Sequence, residues 1–515
     1  MKTTRFTAAA LALIVSLTFG AYAFDWKVQT NEELKGDMLV YAQGFADAAK
    51  GTKAAKIVNK LIKKQAKTTD QYSWIADTHE AVAELKKAYS PEIVIPGEKN
   101  DKADIRKWTL QLLDYPLHVD DRGKDTPQAM KEAYETAKQE YLSDARTSAL
   151  AWVLGPTPKN DCLEVFKVYN MGYGFRTAKH TVLIDIRWDG TPEEADMLAS
   201  KADIFLLTHP HGDHYSKTML EALAKKGKTM ILPSDVLPEY TGSNKHIIRE
   251  AAEAVEIDGI KLNILPGNQG ENIPNNVYII EIDGWRIIHQ GDNADYELQD
   301  RIADYPACDI VLGSTWNNAQ RLMSAAMAAD GGCMPVFIPG HENELSHHGV
   351  DHRESYHEMF DRKDRLGNPD FKYPPYMLMD IGECVVFSKQ LYDPIAIENQ
   401  YVDDGYTRTL KTQNTYAISK LVPKTSEIAI YNNIYDYLRG RVPGLTVKPD
   451  GSILIRGINT INGSTEPLII VDGIPTSDIR SINPLDVKSI DVLKDASTSI
   501  YGARGGNGVI IIKLK

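Results

Sequence analysis

The feature that most constrains this chain is a seven-residue stretch, Thr208-His209-Pro210-His211-Gly212-Asp213-His214. It follows a short apolar run, Asp203–Leu207, that reads as a strand, and precedes a helical pattern beginning near Ser216. A loop leaving a strand tip can turn three imidazoles and a carboxylate inward together. Neutral imidazole and carboxylate are the donors that suit zinc, with iron or manganese as close alternatives. The first two His stand at i and i+2, followed by Asp at i+4 and His at i+5. That spacing lets one ion take the first pair and a second ion the latter pair. The other reading is a metal-free surface cluster, which the strand-to-helix setting disfavours.

The texture around the motif is α/β. From Asp161 to about Tyr392, apolar runs such as Thr181–Arg187, Met230–Leu232, Val277–Ile282, Ile310–Leu312 and Val336–Ile338 alternate with helical stretches such as Ser216–Lys226 and Ala319–Ala329. Ten of the 13 histidines lie between His209 and His357, so they mark this region out. Before it, Phe24–Leu154 carries Ala, Leu, Lys and Glu with apolar residues at three- and four-residue spacing, which predicts helices over Glu32–Lys50, Ala54–Lys67, Tyr72–Tyr89 and Thr126–Leu154. After it, from about Ile395, β-branched residues are punctuated by Asp450-Gly451, Asn462-Gly463 and Asp472-Gly473, the signals of short strands and tight turns. The 515 residues suffice for several cores. The expected division is a leader at 1–23, a helical region at 24–158, the α/β domain at 159–393 and a small α+β domain at 394–515.

The His-rich loop resembles the H-x-H-x-D-H signature of the metallo-β-lactamase superfamily, and further landmarks follow in that family's order. Val168–Gly172 and Thr181–Asp185 look like the strands before the signature, ending in an Asp that supports the metal loop. Asp283–Asp292 resembles the hairpin that ends in a bridging aspartate, which places Asp292 in that role. Ile338-Pro339-Gly340-His341 resembles the last metal motif, with His341 a ligand of the second ion. The texture is most similar to the branch that includes ascorbate-6-phosphate lactonase. The resemblance implies an αββα sandwich with one or two zinc ions, or Mn2+ or Fe2+, at one edge. The implied ligands are His209, His211, Asp213, His214, Asp292 and His341.

One position departs from that pattern. The family's third His of the first site sits in a P-G-H context, where this chain reads Leu265-Pro266-Gly267-Asn268-Gln269-Gly270. Asn268 offers an amide oxygen, a weaker donor than imidazole. His289 lies near the right place but reads as a residue supporting the ligands rather than as one of them. His347, His348, His352 and His357 read as a solvated loop, with room for one to line a cleft. The resemblance implies a hydrolase: a metal lowers the pKa of bound water to about 7, giving hydroxide for attack on an ester, lactone or phosphodiester. Asp213 would orient that nucleophile. No G-x-S-x-G elbow and no P-loop occurs. The alternative is a non-catalytic metal- or ligand-binding sensor, which Asn268 favours.

A second resemblance covers the C-terminal region. Ile434–Leu445, Ile453–Asn459, Pro467–Pro475, Ile490–Ala496 and Ser499–Val509 keep the order and spacing of the plug domain of TonB-dependent receptors, the glycan-uptake type. The glycines of the last motif suit tight turns rather than a phosphate cradle. The sequence stops at Lys515 without the alternating strands of a barrel. The expectation is therefore a docking module for an outer-membrane or periplasmic protein, not a transporter.

Lys2 and Arg5, the apolar run Ala8–Phe19 and Ala21-Tyr22-Ala23 form the three parts of a cleaved signal peptide, with no Cys following for a lipid anchor. The expected location is periplasmic or outer-membrane-associated, with no transmembrane segment in the mature chain. A net charge of −12 without basic runs argues against nucleic acid and leaves a small-molecule substrate. Cys162, Cys308, Cys333 and Cys384 fit no metal or redox spacing and are expected to be thiols, with room for one disulfide.

Overall fold

Capping signals in the sequence set the first elements. The computed structural model describes residues 30–88, 101–233, 236, 247–248, 253–270, 273–306, 308–314, 322–323, 325–326, 335–345, 353–363, 376–388, 401–403, 408–410, 418–423, 428, 431–455 and 465–514. The leader at 1–23 and Cys333 lie outside them. Helix α1 (Asn31–Ala48) starts at Thr30, whose hydroxyl accepts from Glu33 N–H while Glu33 reaches back to Thr30 N–H. Helices α2 (Lys53–Gln65), α3 (Ser73–Lys86), α4 (Asp101–Leu117) and α5 (Gln128–Leu154) follow.

Two sheets come next. The first has seven strands in the order β13-β1-β2-β3-β4-β5-β6, where β1 is Cys162–Tyr169, β2 Gly172–Arg176, β3 Thr181–Ile184, β4 Ile204–Leu206, β5 Thr229–Ile231, β6 Ile247–Ile248 and β13 Cys384–Ser388. From β3 to β5 the strands run parallel, with α6 (Pro192–Lys201) and α7 (Lys217–Lys225) as the crossovers. Thr191 and Glu194 cap α6 reciprocally, and Ser216 caps α7 just beyond the His-rich loop. The second sheet has six strands in the order β12-β11-β10-β9-β8-β7, from β7 (Glu253–Ile257), β8 (Ile260–Asn268), β9 (Pro274–Ile282) and β10 (Trp285–His289) to β11 (Ile310–Gly313) and β12 (Val336–Pro339). Its strands β10, β11 and β12 are parallel, pairing His289 with Leu312 and Leu312 with Ile338. The carboxyl ends of β10 and β12 therefore lie level, which is where open α/β sheets present ligand-binding loops.

Helices cover each sheet. On the first, Trp152 and Val153 of α5, Leu198 of α6 and Leu220 and Leu223 of α7 pack with Phe166, Leu183 and Phe205. On the second, Leu34, Phe45, Trp74, Leu113 and Tyr141 of the N-terminal helices share a core with Val277, Ile279, Ile288, Val311 and Phe337. The helical region thus supplies the outer layer of the second sheet, completing an αββα sandwich. At about 25 cal/mol per Å2 of apolar surface, that shared core ties the helices to the sandwich thermodynamically.

Contacts divide the chain into two compact units. The first comprises residues 1–326 and 335–387 and the second residues 327–334 and 388–515. The second unit has its own core, in which Ile434, Leu438, Ile453, Ile490, Val492, Ile510 and Ile512 are buried. Its five-stranded sheet has the strand order Ile418–Leu421, Val487–Leu493, Val509–Leu514, Leu468–Val471 and Ile474–Thr476. Asp472 (φ 45°) and Gly473 (φ 82°) join the last two of these, and both stand in the left-handed region that a two-residue hairpin turn demands. The Asn462-Gly463 turn lies outside the described residues. Cys162, Cys308 and Cys384 are free thiols.

Candidate metal centre

The His-rich loop leaves β4 as its position in the sequence predicts. Beside it, the loops after β3, β10 and β12 converge. Asp185, directly after β3, is fully buried and organises the loop base. Its carboxylate accepts from Thr208 N–H at 2.8 Å, Thr208 Oγ1 at 2.7 Å and His214 Nδ1 at 2.8 Å. This fixes the His214 tautomer, so that Nε2 faces the other way. Thr208 Oγ1 also lies 3.1 Å from His209 Nδ1 and orients that ring likewise.

The free sides of these rings face carboxylates. His214 Nε2 is 3.2 Å from Asp213 Oδ2 and 3.5 Å from Asp292 Oδ1. His209 Nε2 is 3.7 Å from Asp292 Oδ2, and His341 Nε2 is 2.5 Å from Asp292 Oδ1. Asn170 Nδ2 donates to Asp213 Oδ2 at 2.7 Å. Two groups have ligand atoms within 4.8 Å of one another: His209, His214 and Asp292, and Asp213, His341 and Glu344. His211 faces the same space, its Nδ1 3.1 Å from Gln269 Nε2.

Five of the six implied ligands therefore meet in those two groups, and His211 borders them through Gln269. Sequence reasoning missed Glu344 and Gln269. Glu344 had a faint signal, an acidic residue three positions after His341, and its Oε2 lies 3.5 Å from His341 Nδ1. Asn268 does not enter the cluster: its Oδ1 accepts from Gly270 N–H at 2.5 Å in a local turn. His289 is fully buried, with Nε2 2.8 Å from the Met171 carbonyl and Nδ1 accepting from Gly291 N–H at 3.2 Å. Both ring nitrogens are engaged, which leaves His289 bracing the turn that carries Asp292. His357 is buried rather than solvated, its Nδ1 2.6 Å from Asp114 Oδ2. His347, His348 and His352 lie outside the described residues.

Backbone strain gathers here. Asn170, Asp185, His341 and Asn343 all have positive φ, between 46° and 70°. Non-glycine residues so placed cost of the order of 1 kcal/mol each and persist where surrounding contacts hold them. Gly291, at φ 54°, leaves no room for a side chain, because a Cβ would stand 2.5 Å from Asn275 Oδ1.

The electrostatics suit a cation. Burial, with His214 adding to it, pushes His209 down to about 3. Burial opposes protonation of His214 and His341 too, but Asp292, Asp185 and Asp213 drive His214 upward, and Asp292 with Glu344 drives His341 up to about 10. Against their own burial, the imidazoles hold Asp213 and Asp292 well below the usual carboxylate range. Nε2 of His209 and Nε2 of His214 are buried without a hydrogen-bond partner among the described residues. Buried imidazole nitrogens aimed at ionised carboxylates, without well-directed hydrogen bonds of their own, are a good donor set for a divalent ion. The residues present fit such an ion.

Comparison with known proteins assigns both parts. Residues 171–324 match the beta-lactamase superfamily domain, and residues 411–509 match the TonB-dependent receptor plug domain. The chain carries a metallo-β-lactamase-fold domain followed by a TonB-dependent receptor plug domain. In the first part it is 29% identical over 143 residues to a UPF0173 metal-dependent hydrolase of Thermococcus onnurineus, covering 25% of this chain and 62% of that one. In the second it is 35% identical over 142 residues to the TonB-dependent receptor SusC of Bacteroides thetaiotaomicron, covering 24% of this chain and 14% of the receptor. It is 45% identical over 152 residues to the TonB-dependent receptor P39 of Formosa agariphila, covering 27% and 15%. The chain thus spans under two thirds of the length of each. No helix among the described residues is long and apolar enough to cross a membrane.

Proposed function

We propose that this chain is an exported metal-dependent hydrolase of a small ester, lactone or phosphodiester, with the plug domain docking it to an outer-membrane or periplasmic protein. His209, His211, Asp213, His214, Asp292 and His341 hold one or two divalent ions, zinc first among them and Mn2+ or Fe2+ as alternatives. The observation that carries the reading is the pair of orphaned nitrogens, His209 Nε2 and His214 Nε2, aimed at Asp213 and Asp292. The ion supplies Lewis acidity and a water acidic enough to ionise near neutral pH.

The chain's own residues supply the rest. Asp213 remains ionised at neutral pH, and Asn170 holds its Oδ2, so the carboxylate is a fixed hydrogen-bond acceptor that would orient an attacking water. Asp185 keeps its charge away from the open side while holding the His214 tautomer. Export rests on the leader pattern of Lys2–Ala23 and on likeness to TonB-dependent receptors. A second reading, a non-catalytic sensor, draws on the Asn at position 268 where the family pattern has His.

The test is metal content of the purified protein beside hydrolysis of generic phosphodiester and lactone substrates. One to two equivalents of metal with turnover, both lost in His211→Ala/His214→Ala, is the expected result. Full metal content in that double variant overturns the site, and metal without turnover on any substrate favours the sensor.

A further inference from the structure

We infer that Gln269, and not Asn268, completes the first metal position, with the carboxamide oxygen as its donor. The inference rests on the metal-binding reading above and adds a ligand to it. Register places the two residues differently. Asn268 is the last residue of β8, pairs with Pro274, and spends its side-chain oxygen on Gly270 N–H; its carbonyl accepts from Ala294 N–H. Gln269 is next in the chain and projects to the cluster. Its Nε2 stands 3.1 Å from His211 Nδ1 and 3.4 Å from Asp292 Oδ2.

Those two separations are informative. Donors about 2.0–2.1 Å from a tetrahedral ion lie roughly 3.3–3.4 Å from one another by simple geometry. The terminal amide atom of Gln269 thus keeps ligand-to-ligand distances from both neighbours. The amide's other end is anomalous. Gln269 Oε1 is buried and has no hydrogen-bond partner among the described residues. Oxygen and nitrogen ends of an amide are interchangeable by a half-turn about the last torsion. That half-turn puts the oxygen beside His211 Nδ1 and Asp292; with His211 Nδ1 unprotonated, as a metal-binding imidazole nitrogen is, a cation makes these three acceptors compatible. His209 Nε2, the orphan 3.7 Å from Asp292 Oδ2, supplies the remaining nitrogen. The first position then has two imidazoles, a neutral carboxamide oxygen and a share of Asp292. A neutral oxygen binds zinc less firmly than imidazole, so this position is the looser of the two.

The experiment titrates metal-free full-length protein with Zn2+ by calorimetry and with Co2+ by visible absorption, comparing the native chain with Gln269→Ala, Gln269→His and Asn268→Ala. The native chain should show one tight and one weaker equivalent. Gln269→Ala should weaken the second equivalent at least about tenfold, and Gln269→His should tighten it by a similar factor, because imidazole is the stronger zinc donor. Each should also shift the Co2+ d–d bands of that equivalent alone. Asn268→Ala should leave both equivalents within about twofold. Unchanged affinity and unchanged bands in Gln269→Ala overturn the assignment, as does a loss confined to Asn268→Ala. Weakening without any band shift also overturns it, because it marks a supporting hydrogen bond rather than a ligand. If the native chain binds neither ion, the metal-binding reading falls and this inference with it, a result distinct from the others.

Discussion

At the residue scale, Asp185 shapes the ligand loop from beneath it. Asp185 accepts three hydrogen bonds with no exposed surface, and two end on Thr208, the residue before the ligand loop. Asp185→Ala should reduce metal affinity roughly 10- to 100-fold, the range for residues that orient metal-bound His. Metal retention during dialysis against a graded chelator measures this, and native-like retention would show that the loop holds its shape unaided. Protonation gives a second expectation. With its folded pKa raised to about 10, His341 is charged in the metal-free protein at neutral pH, so zinc must displace its proton. Zinc uptake at pH 7 should therefore release protons, and the number from this group should fall as pH rises through about 10. Calorimetry in buffers of different ionisation enthalpy counts them. Residues in the H-x-H-x-D-H stretch were legible because their spacing is itself the chemistry. Gln269 and Glu344 were not, since nothing in a local sequence says which side chain a turn will aim inward.

Elements explain why the helical region belongs with the site. Asp114, near the end of α4 and fully buried, accepts from Asn343 Nδ2 at 3.1 Å, Tyr356 N–H at 2.8 Å and His357 N–H at 2.9 Å, with His357 Nδ1 at 2.6 Å. Arg353 donates to the Leu117 and Val119 carbonyls and pairs with Asp121. These contacts hold Asn343, which lies between His341 and Glu344, and the residues from Arg353 to His357, and Glu342 pairs with the buried Lys167 of β1. Asp114→Ala leaves several buried donors unpaired, at a cost of about 3 kcal/mol. Urea unfolding should show that loss in midpoint with an unchanged slope. Metal held by Asp213 and His341 should loosen in parallel; a stability loss with metal binding intact would make the Asp114 contacts purely structural. The helices Asn31–Ala48, Lys53–Gln65, Ser73–Lys86 and Gln128–Leu154 were readable from their periodicity, as were strands around the His-rich loop, whereas Asp101–Leu117, with Pro116 in its last turn, was not singled out. The helices' role as the second sheet's outer layer was not readable, because a 3.6-residue period shows that a face is buried but not what buries it.

For the whole molecule, the two compact units carry opposite expectations for cutting. Deleting residues 30–154 removes the partners of Val277, Ile279, Ile288, Val311 and Phe337, exposing a β-sheet face that is buried in the intact chain. Such a fragment should be insoluble or aggregate on concentration. A cut after Phe387 follows the boundary between the units and leaves the first with β1 to β12, β13 but for its last residue, Ser388, and every implied ligand. The fragment ending at Phe387 should be soluble, unfold cooperatively and bind the same equivalents of metal as the full chain. Saturating zinc should raise its Tm, because an ion at 100 times its Kd contributes about 2.7 kcal/mol to the folded state. The complementary fragment from Ser388 should fold alone around Ile434, Leu438, Ile490 and Ile512, and its Tm should ignore zinc. Calorimetric scans of both, with zinc and with chelator, test the pair together. If the first fragment holds no metal while the full chain does, the plug domain is needed to build the site. If the second fragment's Tm follows zinc, the ligands assigned above are incomplete.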